Sequence, residues 1–160
     1  MSLAIQPFDY DYSPGYGFFA PLKEFQWGFR DMRWWYPSRL TEKLILVEKR
    51  KNRYGSEFEL YVKEDENLWF MGVKLNKIVY VFKCITEVGS NTLIGVVLYS
   101  EKDKYPLLKQ ALINLLGEPF HSFTQGNEES VEWKSNTMMV CLRCSNGQVT
   151  INIGHSYTLQ

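Results

Sequence analysis

Apolar residues recur along this chain at two different spacings, and the change of spacing marks its elements. Over residues 104–116, Leu108, Ala111, Leu112, Leu115 and Leu116 stand at i, i+3, i+4, i+7 and i+8. That is one broad stripe of an amphipathic helix. Asp103 is placed to cap its start, Pro106 is tolerated in the first turn, and Gly117 with Pro119 supplies the stop. Further on the spacing falls to two. Asn146-Gly147 is the preferred pair for a two-residue type I′ turn, because both positions need positive φ. Closing the hairpin there pairs Leu142 with Ile151, Val140 with Ile153 and Met138 with His155 on one face. Arg143 then meets Thr150, and Cys141 meets Asn152, on the other. Turn chemistry and burial pattern choose the same register. Val131 and Trp133 predict one more short strand ahead of this hairpin.

The middle of the chain also reads as strands. Residues 44–50 and 57–63 form a hairpin with a polar turn between Asn52 and Ser56. The favourable register sets Lys49 against Glu59, Lys51 against Glu57 and Val47 against Tyr61. A slip of one residue would set Glu48 against Glu59, which like charges disfavour. An apolar stretch follows at 68–74, then strands at 77–86 and 92–99 joined by a turn at Glu87-Val88-Gly89-Ser90-Asn91. Residues 78–82 and 93–98 are nearly continuous apolar runs, as expected of central strands covered on both faces. Gly95 marks a bulge or a close backbone approach.

The first third is different. Twelve of the 25 aromatics (5 Trp, 10 Tyr, 10 Phe) fall within the first 36 residues. Phe8, Tyr10, Tyr12, Tyr16, Phe18 and Phe19 are interleaved with Pro7, Pro14, Gly15 and Gly17, a mixture that cannot hold a helix. Residues 1–20 therefore read as an extended arm that lies across its own domain or a partner. From Pro21, Leu22, Phe25 and Phe29 are spaced along one side of a predicted helix, which Gly28 weakens and Pro37 ends. The expected fold is α+β, a mostly antiparallel sheet with two helices packed on one face. Residues 1–160 make one domain, with the arm at 1–20 and the globular body at 21–160. Helix, proline and three strands succeed one another around Pro37 and again around Pro119, the outline of a duplicated helix–strands unit.

Composition removes several functions. Eighteen basic residues balance eighteen acidic ones, so no net charge steers the chain toward nucleic acid or anionic lipid. No apolar run approaches the ~18 residues of a membrane span. Three cysteines are odd in number and too few for a disulfide scaffold. The expected location is cytoplasmic, or the cell envelope if Met1-Ser2-Leu3 replaces a trimmed leader.

One stretch carries a resemblance. Leu112-Ile113-Asn114-Leu115-Leu116-Gly117-Glu118-Pro119 is a helix ending in Leu-Gly-x-Pro. Trp133, an alternating strand, Asn146-Gly147 and Val149-Thr150-Ile151 follow it. This resembles the small outer-membrane assembly lipoproteins and the related tandem fold of the β-lactamase inhibitor protein. Phe25-Gln26-Trp27-Gly28 looks like the opening of another such unit. The resemblance covers about 104–155, and 22–85 loosely; a lipidated N-terminal cysteine is missing. It implies a protein-binding module without catalytic residues.

Candidate chemistry is sparse. Cys141-Leu142-Arg143-Cys144 has C-x-x-C spacing, but a strand turns residues three apart to opposite faces. Cys144 should be core and Cys141 surface, unlike a zinc or redox pair. Cys84, His121 and His155 are the remaining ligand types, and no metal or cofactor is expected. His121 and His155 stand in no known catalytic arrangement. Glu64-Asp65-Glu66 and Glu128-Glu129 read as solvated turns, and Lys49-Arg50-Lys51-Asn52-Arg53 as a hairpin tip neutralised by Glu57 and Glu59. The tip carries the weaker expectation of nucleic-acid binding. Trp27, Trp34, Trp35 and Tyr36, with Arg30, Arg33 and Arg39 among them, are the candidate binding surface, because tryptophan, tyrosine and arginine dominate protein interfaces. The expected function is a non-catalytic protein-binding module, inhibitor-like or of the immunity kind that neutralises bacterial toxins. Its partner would be another protein, met through Trp34, Trp35, Arg33 and Tyr36. The alternative is a small-ligand protein or enzyme with a pocket between sheet and arm.

Overall fold

A computed structural model of the chain describes residues 23–85, 89–135 and 138–155. The arm at 1–20 lies outside the described residues. Eight strands form one antiparallel sheet: β3 (Leu44–Lys51), β4 (Glu57–Lys63), β7 (Lys77–Ile85), β8 (Ser90–Glu101), β9 (His121–Gln125), β10 (Glu128–Lys134), β11 (Met138–Ser145) and β12 (Gln148–His155). They lie in the order β3-β4-β7-β8-β12-β11-β10-β9. Two small hairpins stand apart from it, β1 (Gly28–Phe29) with β2 (Met32–Arg33), and β5 (Trp69–Phe70) with β6 (Val73–Lys74). A single α-helix, α1 (Tyr105–Leu116), appears among the described residues, entered through a 3-10 turn at Lys102–Lys104.

The register explains the core. Tyr80 lies opposite Val96, Ile78 opposite Leu98, and Ile151 opposite both Leu98 and Leu142. Period two therefore puts Tyr80, Phe82, Val96, Leu98, Val140, Leu142, Ile151 and Ile153 on one face. All are buried in one apolar cluster. Helix α1 covers part of that face through Leu108 and Leu112. The two small hairpins cover the rest through Phe29, Met32, Phe70 and Val73.

The C-terminal hairpin pairs as the turn chemistry requires, from Met138 with His155 to Arg143 with Thr150. Asn146 and Gly147 hold φ of 53° and 79°. Trp133 anchors the helix stop, its indole Nε1–H donating to the Gly117 carbonyl at 2.9 Å. Asp103 does not cap α1. It falls inside the 3-10 turn, Lys104 takes the cap position, and no side-chain cap bond forms.

Two further expectations are corrected. Over the described residues the helix expected from Pro21 is absent: a 3-10 turn spans Lys23–Phe25, and the chain then reverses in the β1–β2 hairpin. Gly28 permits that reversal, because a Cβ there would collide with the Met32 carbonyl oxygen. Gly28→Ala should therefore destabilise the fold by about 1–3 kcal/mol, measurable as a lower urea midpoint. Helix-periodic Phe25 and Phe29 are both buried, but as turn and strand residues. Without that helix the duplicated unit is not what the described residues show. The two halves share a four-strand meander, β3-β4-β7-β8 and β9-β10-β11-β12, joined through β8 and β12. Helix α1, between them, has no counterpart among the described residues.

The second correction is in the β3–β4 register. Lys49 meets Glu59 and Lys51 meets Glu57 as expected, but Tyr61 meets Leu46 rather than Val47. Val47 is an extra residue in a β-bulge, which lets the charge pairing and the apolar pairing both be satisfied.

Candidate functional site

The expected interface residues are divided by the backbone. Met32 and Trp34 point inward at 2% exposure each, Arg33 is exposed, and Trp35 and Tyr36 are half-buried. Trp34 donates its indole Nε1–H to the Phe25 carbonyl at 2.7 Å. Strand β12 leaves β8 beyond Gly95, where Gly154 is its last partner. The 34–36 segment fills that place: Trp35 N–H donates to the Leu93 carbonyl at 2.8 Å, and Leu93 N–H donates to the Tyr36 carbonyl at 2.9 Å. Arg33 lies over the Tyr36 ring, 5.9 Å from its centre. The surface offered here is thus Arg33 with parts of Trp35 and Tyr36, while Trp34 belongs to the core.

Past Pro37 the chain makes a 3-10 turn at Ser38–Leu40 and forms one wall of a polar cleft of about 730 Å³. Glu57, Glu59, Cys84 and Asn91 belong to its other walls. Strand alternation places these on the core face of the sheet, beyond the point where apolar packing ends. A hydrogen-bond network fixes them. Ser38 N–H donates to Asn91 Oδ1 at 2.8 Å. Asn91 Nδ2 and the Tyr61 hydroxyl both donate to Glu59 Oε1, at 2.6 and 2.9 Å. Burial pushes the Tyr61 hydroxyl pKa up. Burial first, then the charges of Glu59 and Glu57, push the Cys84 thiol up too. The thiol is therefore harder to deprotonate than a free one, and Arg39 joins the two carboxylates in the lining of the cleft. A second hollow of about 340 Å³ adjoins it, sharing Glu57, Glu59 and Cys84 and walled by Lys49, Arg50 and Lys51 of β3.

Among the described residues, strand β3 is the outermost strand on that side and pairs with β4 alone. Ile45, Leu46 and Val47 are 47%, 43% and 53% exposed, and Leu40 just before the strand is exposed as well. Adjacent exposed aliphatics on a bare strand edge are unusual, because such an edge templates further pairing. The apolar run 44–47 predicts a strand, but nothing local says which strand is outermost.

The other candidates disperse. Cys144 is buried and Cys141 half-buried, both with free thiols. Burial and then Glu132 push the Cys141 pKa up. His121 is exposed on β9 opposite Glu132, which lies opposite Cys141 on the next strand. The acid separates thiol from imidazole, which sit two strands, about 10 Å, apart. His155 ends β12 and its side chain is outside the described part. No group of three His, Cys, Asp or Glu able to hold a metal occurs among the described residues. The basic run is paired only in part. Arg50 bonds Glu48, Lys51 reaches Glu57 at 3.7 Å, and Arg53 lies over Tyr54. Glu66 is not a solvated turn acid: it accepts from Arg30 at 3.0 Å and from the Tyr80 hydroxyl at 2.6 Å. No described helix is long and apolar enough to cross a membrane.

No family model, no curated protein and no solved structure matches this chain.

Proposed function

We propose that this chain is a non-catalytic protein-binding module, of the inhibitor or immunity kind, that takes an extended segment of its partner along the bare edge of β3. One observation carries the reading: Ile45, Leu46 and Val47 stand exposed side by side on an outermost strand. Strand addition at such an edge supplies main-chain hydrogen bonds for affinity and alternating side-chain contacts for choice of partner. Leu40 extends the apolar surface, and the Arg33–Tyr36 pair offers a second contact of the type that anchors interfaces. The resemblance to the β-lactamase inhibitor protein and the assembly lipoproteins points the same way.

The test is capture of a partner by the immobilised full chain, repeated with Ile45→Lys and Leu46→Lys. Both sites are exposed, so each change should move stability by under about 1 kcal/mol. Binding should weaken at least tenfold. Retention of the partner by both variants, with loss on Arg33→Ala or Tyr36→Ala instead, would move the interface off the edge. A wild-type chain that holds nothing specific would sink the proposal.

A second reading is favoured by the cleft at Ser38, Glu59 and Asn91, whose volume suits a small ligand. The pocket expected between sheet and arm involves residues 1–20, which lie outside the described residues.

A further inference from the structure

The eight-stranded sheet has a second face, and its middle is apolar. Leu60, Val79 and Met139 are buried, yet they stand outside the core cluster. Strand alternation puts them on the side away from α1. Leu60 lies opposite Val81, Val81 opposite Gly95, Gly95 opposite Gly154, and Gly154 opposite Met139. That is one uncharged row across five strands, with half-buried Phe58 and Val97 beside it. Helix α1 and both small hairpins pack on the opposite face, so no described helix or hairpin covers this one. The near-continuous apolar runs at 78–82 and 93–98 are those of strands covered on both faces. Gly95 and Gly154 sit side by side in the middle of the row, and both are buried. Without side chains they leave a trough where another group can lie close on the backbone. Aromatic rings are the side chains that best cover strand glycines.

The chain holds a segment of that chemistry. Residues 1–22 contain Phe8, Tyr10, Tyr12, Tyr16, Phe18 and Phe19, with Asp9 and Asp11 as their only charges. A segment of that length reaches up to about 70 Å, against roughly 34 Å across eight strands. Its point of entry into the described body also fits. The Phe25 carbonyl accepts from the Trp34 indole at 2.7 Å. Trp34 in turn shares an apolar hollow with Met138 and with Ile94, the bulge residue next to Gly95.

We infer that residues 1–22 dock in cis on this second face, with an aromatic ring seated over Gly95 and Gly154. The inference goes beyond strand addition at β3 and does not depend on it.

The experiment places a photo-reactive residue in the full chain, as Tyr10→p-benzoylphenylalanine, Tyr16→p-benzoylphenylalanine or Phe18→p-benzoylphenylalanine. Isotopically labelled and unlabelled chains are mixed equally and irradiated, and the cross-linked peptides are mapped by mass spectrometry. At least one position should link, within a single chain, to residues 58–62, 79–83, 94–97 or 139–141. Gly154→Ile fills the trough with a residue that strands favour and should cut the yield at least fivefold with the circular dichroism unchanged. Should that variant fail to fold, the mapped sites alone decide. Links to α1 or to the β1–β2 hairpin, or no links at all, overturn the inference. So does a yield that a folded Gly154→Ile protein leaves unmoved. Links joining labelled to unlabelled chains overturn it too, and assign the face to a second copy.

Discussion

Trp34→Ala is expected to lower the free energy of unfolding by about 3–5 kcal/mol, the range for removing a buried large aromatic. The indole is 2% exposed and its N–H has a carbonyl partner, so the substitution leaves a cavity and an unpaired acceptor together. Chemical denaturation reads the effect directly. Trp35→Ala and Arg33→Ala, at half-buried and exposed positions, should cost clearly less. The comparison separates two roles that tryptophan plays. A partner anchor would weaken binding with stability intact, whereas the location of Trp34 predicts lost stability. If Trp34→Ala unfolds at the wild-type urea concentration, the packing of the 23–36 segment against the sheet is wrong.

Glu66→Ala should be the second most damaging change, at about 2–4 kcal/mol. This side chain is 11% exposed and that of Arg30 is 27% exposed. Glu66 joins three elements: the guanidinium of the β1–β2 turn, the Tyr80 hydroxyl of β7, and its own loop before β5. Arg30 also donates to the carbonyls of Asn67 and Trp69. Removing the carboxylate takes one of three acceptors from Arg30 and leaves the Tyr80 hydroxyl without its partner, and leaving a buried group unsatisfied costs more than the bond itself contributes. Tyr80→Phe should cost far less, about 1 kcal/mol, since it deletes donor and hydroxyl together. Thermal unfolding of the two variants side by side checks the ranking. A Glu66→Ala protein as stable as Tyr80→Phe would show that the network contributes little.

The last third of the fold was legible because its signals are local. Asn146-Gly147 determines the turn and thereby the register, and the leucine stripe with Gly117 bounds α1. The β3–β4 pairing was legible through charge: Lys49 with Glu59 and Lys51 with Glu57 hold, and only the bulge at Val47 was hidden. The N-terminal segment was misread because Phe25 and Phe29 have helical spacing, while the deciding facts are tertiary. Arg30 adopts φ of 57°, a conformation that its own chemistry does not advertise. Its bonds to Glu66, Asn67 and Trp69 lie 36 to 39 residues away. The cleft was illegible for the same reason. Ser38, Glu59 and Asn91 share no local pattern, and Glu59 looked like a partner for the basic run. The faces of β4 and β7 were derivable from the register, but the Ser38–Leu40 turn above them was not.

An open sheet ends twice. Among the described residues it runs from β3 to β9 without meeting itself, which leaves two unsealed rims there. Exposed Phe120 and Phe123 make the far rim apolar too. If one rim met the opposite rim of the next copy, the contact would be head-to-tail, and such contacts grow filaments unless their rotation closes a ring. The kink at Val47 and the cations at 49–51 oppose that stacking, since twist and positive charge are how proteins blunt a rim. Resistance to self-stacking and the proposed recognition would therefore draw on the same eight residues of β3.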